Sequence, residues 1–136
     1  MRVILVYLLA LTAIWIFSER VFAQDEFEMK EGDQTYIMKK YYMVFLKKGE
    51  VRSQDSTQAA EIQKGHMEHI GKLAKDGYLH IAGPFGGNGE MRGILVLSVK
   101  TKEEAEMLAS EDPAVKAGRL KIEVLEWWAA KGSTLK

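Results

Sequence analysis

The sequence predicts an α+β fold of order β-α-β-β-α-β, and three observations predict it. Four short apolar runs bounded by Gly, Pro or charged clusters read as strands. Two stretches with helical spacing open on capping signals. Their order places one helix between the first and second strands and the other between the third and fourth. This split βαβ arrangement is ferredoxin-like, an antiparallel sheet with both helices on one face.

Tyr41 to Leu46 is the first strand candidate, closed by Lys47-Lys48-Gly49. Asp55 followed by Gln58 has the spacing of a capping box, and the helix it opens runs through Asp76 to a stop at Gly77. Tyr78 to Ala82 reads as the second strand, and Gly83 to Gly89, with four glycines and a proline, as a flexible hairpin turn. The turn lacks the following helix that a phosphate loop requires. Gly93 to Val99 is a nearly continuous apolar third strand. Thr101 to Glu104 is a second capping box, with Ala105, Leu108 and Ala109 on one face of its helix. Asp112-Pro113, with Gly118 beyond, reads as an N-cap, a proline at the first helical position and one short turn. Leu120, Ile122 and Val124 alternate with Lys121 and Glu123 in the fourth strand, which ends at Trp127-Trp128. The adjacent tryptophans suit edge or dimer packing.

The flanks bound where the domain acts. Arg2, the apolar run Val3 to Phe17 and the compact residues Val21 and Ala23 form a signal-peptide pattern, predicting cleavage after Ala23. The run is shorter than the ~18–20 residues of a usual membrane span, so the expectation is an exported protein, periplasmic or secreted, with no membrane attachment after cleavage. Residues 24–40 are charged, lack a clean period and contain Gly32, and read as an exposed N-terminal arm or linker. The domain proper is expected over 41–130, with 131–136 as a tail. Net charge is zero, so no bulk field favours nucleic acid or an anionic membrane. Absence of Cys removes disulfides and thiolate chemistry. Because the helices cover one sheet face, the other needs a cover, and a homodimer is the economical one.

Chemistry concentrates in Gly65-His66-Met67-Glu68-His69, which holds two of the three histidines. With Ile62 at zero and ~100° per residue, His66 falls at ~40°, Leu73 at ~20° and His69 at ~−20°. His66 is thus mid-stripe among core positions, and His69 lies on the stripe's edge. Glu68 projects away, and the i,i+3 spacing is not that of the zinc helix H-E-x-x-H, so no metal is expected. Spacing leaves His66 open between a hydrogen-bonded core histidine and an acid/base group. Asp112 is likewise open between helix cap and partner of His66, since the loop after the second helix lies beside the first. Arg52, just before the first helix, is either a loop residue or a binding group for an anionic or enolate oxygen.

The segment His66 to Phe85 (HMEHIGKLAKDGYLHIAGPF), Glu111 to Gly118 (EDPAVKAG) and the terminal Trp-Trp together resemble the YCII-related family of dimeric α/β-barrel proteins, over about residues 41–128. The resemblance implies a ferredoxin-like monomer that dimerises through its sheet. It also implies a His/Asp pair, here His66 and Asp112. His69 and Arg52 are binding candidates from their own positions in the sequence, and a second helix histidine is itself a departure from many members. The implied activity is a lyase or isomerase moving protons on a small aromatic or lactone-like substrate, without a cofactor. The alternative is a module of the same fold that binds a small ligand without transforming it.

Overall fold

The computed structural model describes residues 25–136, and the expected signal peptide lies outside them. Along the chain come β1 (Glu26–Glu31), β2 (Gln34–Lys48), α1 (Ser56–Lys75), β3 (Leu79–Pro84), β4 (Met91–Leu97), α2 (Lys102–Ser110), α3 (Pro113–Lys116) and β5 (Leu120–Ala130). All pairings are antiparallel. From Lys40 onward the architecture is ferredoxin-like, with sheet order β3-β4-β2-β5.

Helix boundaries follow the capping chemistry. The Asp55 side chain accepts the Gln58 N–H at 2.8 Å while the Gln58 side chain accepts the Asp55 N–H at 3.1 Å, a reciprocal box that satisfies donors no helical carbonyl can reach. Thr101 caps α2 by accepting the Glu104 N–H at 3.1 Å, but the Glu104 carboxylate accepts the Lys100 N–H at 3.0 Å instead of that of Thr101, so the expected second box is not reciprocal. The core lies between the sheet and the helices. Val44 and Leu46 of β2, Leu95 and Leu97 of β4 and Val124 of β5 meet Leu73 of α1 and Ala105 and Ala109 of α2. Small alanines on α2 let that helix approach the sheet closely.

Residues 24–40, expected as a loose arm, are a correction. Residues 26–31 and 34–39 pair as a hairpin around the Gly32-Asp33 turn, with Gly32 at φ +58, which glycine adopts without a Cβ penalty. β2 therefore runs unbroken for 15 residues. Its first part carries β1 on the edge that β4 uses further along, while β5 follows the opposite edge from Met38 to Lys48. The hairpin was hidden because its strands bury almost nothing. What holds it is the backbone ladder, contact of the Phe27 and Trp128 rings at 5.0 Å, and the ion pairs Lys40–Asp25 and Lys131–Glu26, each at 2.8 Å. Lys40 itself is buried. Its hydrogen bond with Asp25 raises the ammonium's pKa against the opposing effect of burial.

Two smaller differences concern the strands. Gly83 and Pro84 belong to β3, paired with Ile94 and Gly93, so the turn is shorter than expected. Trp127 and Trp128 also point to opposite sides, as neighbours on a strand must. Trp128 meets Phe27, and Trp127 stands near Tyr41 on the face that no helix covers.

Candidate active site

One face of α1, the β3–β4 hairpin and the segment around α3 enclose a cleft of about 490 Å³, within the range of small-molecule sites. Its walls are largely apolar, with Leu46, Ile62, Ile70, Leu95 and Leu120 among them, and His66 projects into it from α1.

Asp112 holds the His66 ring from behind. The Asp112 Oδ2 lies 2.6 Å from His66 Nδ1, and Oδ1 accepts the Ala114 N–H at 2.8 Å. The carboxylate thus caps α3 with one oxygen and fixes the histidine with the other. Both sequence readings of Asp112 coexist in one side chain. At 1% exposure it has no contact with bulk water. Burial is the largest influence on its carboxyl and pushes the pKa up. The hydrogen bonds from His66 and the Ala114 N–H, with the electrostatic effect of the His66 and His69 rings, outweigh burial and hold it below the ordinary carboxylate value.

An ionised carboxylate only accepts, so in the neutral ring Nδ1 carries the hydrogen and Nε2 the lone pair. No hydrogen-bond partner for Nε2 occurs among the described residues. Since no buried side-chain nitrogen there lacks a partner, Nε2 retains access to the cleft. A tautomer fixed from behind and a free lone pair in front are what a general base requires.

The approach of α1 to α3 depends on the residue before the histidine. A Cβ at Gly65 would stand 3.0 Å from the Pro113 ring. Glycine there lets the helices close until His66 reaches Asp112, at a cost in helix propensity that only packing can offset.

The other expected site residues divide. Arg52 lines the cleft. His69 is not among the residues that line it. Its Nε2 donates to the Leu108 carbonyl at 2.9 Å and ties α1 to α2, the position that its place at the stripe's edge produces once α2 packs there. His80 is elsewhere too, edge-on to Tyr41 at 5.7 Å on the open sheet face. Among the described residues, no group of three or more His, Cys, Asp or Glu is placed to hold a metal ion. Sequence reasoning missed two cleft residues, Arg92 at the start of β4 and Arg119 just before β5. The available signal was scarcity: after Ala23 the chain has only three arginines, each beside a loop.

The YCII-related domain matches residues 40–128. A solved structure of 5-chloro-2-hydroxyhydroquinone dehydrochlorinase from Burkholderia phenoliruptrix AC1100, in complex with 2,5-dihydroxybenzoquinone, is similar to this chain at 20% identity with a TM-score of 0.49, covering 64% of this chain and 92% of that one. No curated protein matches. A family match over well over half of the sequence, from Lys40 through the Trp127-Trp128 pair, shows that the chain belongs to the YCII-related domain family.

Proposed function

We propose that the protein is an exported, cofactor-free lyase or isomerase that moves a proton on a small aromatic or lactone-like molecule. The observation that carries this reading is His66, held through Nδ1 by the buried Asp112 and facing a largely apolar cleft through Nε2. Nε2 takes a proton from a carbon next to a carbonyl, and the electrons of the broken C–H bond move to the conjugated oxygen. The positive imidazolium that results is stabilised by the Asp112 carboxylate. The same electron pair then either takes up the proton at another carbon, giving an isomer, or expels a leaving group, giving an elimination.

Such chemistry leaves a mark in heavy water. A panel of small lactones, phenols and quinols incubated with the protein in D₂O and followed by NMR should show protein-dependent exchange of an acidic C–H in at least one compound. Exchange should fall about a hundredfold or more in His66→Asn. A compound that binds saturably but exchanges equally in both proteins would instead identify a binding module.

The assembly we propose is a homodimer closing the open sheet face. Tyr41, Met43 and Phe45 of β2 lie there, opposite Trp127, Leu125 and Ile94 in the ladder. Leu125 and Trp127 remain 47% and 39% exposed, an apolar patch that a second copy would cover. Export rests on the N-terminal sequence pattern. Sequencing the N-terminus of protein recovered outside the cytoplasm tests it, with Gln24 expected first and an intact Met1 in the membrane fraction as the contrary result.

A further inference from the structure

All three arginines of the described chain, Arg52, Arg92 and Arg119, line the cleft that holds His66. Among the described residues no Asp or Glu lines it, and the Asp112 carboxylate behind His66 is occupied by His66 and the Ala114 N–H. The contrast with the rest of the surface is sharp. Every ion pair among the described residues uses a lysine or His66, and none uses an arginine.

The arginines are positioned without being neutralised. Arg119 Nη1 donates to Gln54 Oε1 at 3.0 Å, and the Gln54 amide donates in turn to the Ala117 carbonyl at 3.2 Å. A neutral amide orients the guanidinium and leaves its charge uncompensated. Arg92 Nη1 reaches the Gly87 carbonyl, also neutral, at 3.4 Å. The loop bearing Arg52 is stitched to the strand start bearing Arg119 by backbone bonds, Gly49 N–H to the Arg119 carbonyl at 2.8 Å and Val51 N–H to the Gly118 carbonyl at 3.0 Å. Uncompensated guanidinium groups above apolar walls focus a positive potential into the cleft. Their planar forks match a carboxylate in two parallel hydrogen bonds.

We propose that the cleft binds an organic carboxylate, an apolar ring bearing a carboxylate group, with Arg92 and Arg119 as the anion clamp and Arg52 at its mouth. The proposal rests on the cleft being the ligand site of the proton-transfer reading and names the substrate class. The apolar residues take the ring, the arginines take the carboxylate, and the fixed carboxylate sets which ring carbon faces His66 Nε2.

Calorimetric titration of the full protein with benzoate and 2-hydroxybenzoate, against benzamide and 2-hydroxybenzamide as uncharged isosteres, tests the proposal. Saturable binding of at least one acid is expected, stronger than that of its amide and weakened by about 0.5 M salt, which screens partly exposed charges. Arg92→Gln and Arg119→Gln should each weaken acid binding about tenfold or more, the usual effect of losing a charge-assisted hydrogen bond. Arg119→Lys keeps the charge but loses the fork, and should fall between. Because Arg119 also supports Gln54, Arg92→Gln carries the test if Arg119→Gln fails to fold. Amides binding as well as acids, neither acid binding, or wild-type acid binding in Arg92→Gln would overturn the proposal. The two readings separate in the heavy-water assay. Carboxylic acids that carry a C–H next to a carbonyl and bind but undergo no exchange leave the clamp standing without the base. Exchange confined to uncharged compounds and unchanged in Arg92→Gln leaves the base without the clamp.

Discussion

Asp112 shows how one buried carboxylate can define a site. Its pKa is lower in the folded protein than the ~3.9 of an unfolded chain. The unfolded state therefore binds more protons at acid pH. The resulting stabilisation is present in full above the unfolded value and is lost as pH falls through the still lower folded value. Asp112→Asn removes it. The stability difference between wild type and this variant, measured by urea unfolding, should be largest near neutrality and shrink as pH falls from about 5 to about 2. The same substitution should disturb the tautomer. An asparagine amide can turn its NH₂ toward Nδ1 and move the ring hydrogen to Nε2, where it blocks the base. Nitrogen chemical shifts of the neutral His66 ring should report the Nδ1–H form in wild type and a gain of Nε2–H form in Asp112→Asn, with proton transfer falling in step. An unchanged tautomer would return Asp112 to a purely capping role.

Among the elements, α1 and α3 approach closely at Gly65, where an added Cβ would stand 3.0 Å from the Pro113 ring. Replacing Gly65 by valine drives a branched side chain toward the Pro113 ring. Overpacking of this kind costs about 1–3 kcal/mol, and it separates His66 from Asp112 as well. The thermal midpoint should fall, and exchange activity should fall further than the loss of folded protein explains. Gly65→Val with full activity would show that the helices can separate without consequence. These elements were legible in the sequence because their signals are local: Asp55 with Gln58, Thr101 with Glu104, and Asp112-Pro113 each mark a helix start by side-chain chemistry within three residues. The His66–Asp112 pair was reachable because topology brings the loop after the second helix beside the first. β1 was not legible, since Phe27 and Met29 give too short an alternation and remain exposed, and its stabilisation comes from strand pairing that leaves little mark on residue type. Arg92 and Arg119 were missed for a related reason. They converge only when the hairpin and the Gly118 turn fold onto α1, and no spacing along the chain records that.

At the scale of the whole molecule, the covered and open faces of the sheet do different work. The helical side builds the cleft, and the proposed dimer uses the other. Leu125→Glu places a charge opposite Met43 in the middle of the open face. Buried in a dimer it would cost several kcal/mol, so light scattering at micromolar concentration should give a dimer mass for wild type and a monomer mass for the variant, with the helical signal unchanged. A wild-type monomer would remove the proposed assembly. The hairpin carries a consequence of timing. Asp25 is already tied to the buried Lys40, only two residues beyond Ala23, where the leader is expected to end. A peptidase must hold several extended residues around the bond it cuts, and at ~3.3–3.6 Å per residue there is no spare length on the domain side. If the leader is cut after Ala23 as proposed, cleavage and formation of β1 compete for the same stretch of chain. If the protein is exported as proposed, the leader is removed while residues 25–31 are still unpaired, and a chain that folds first keeps its leader and remains pressed against the membrane it was meant to leave.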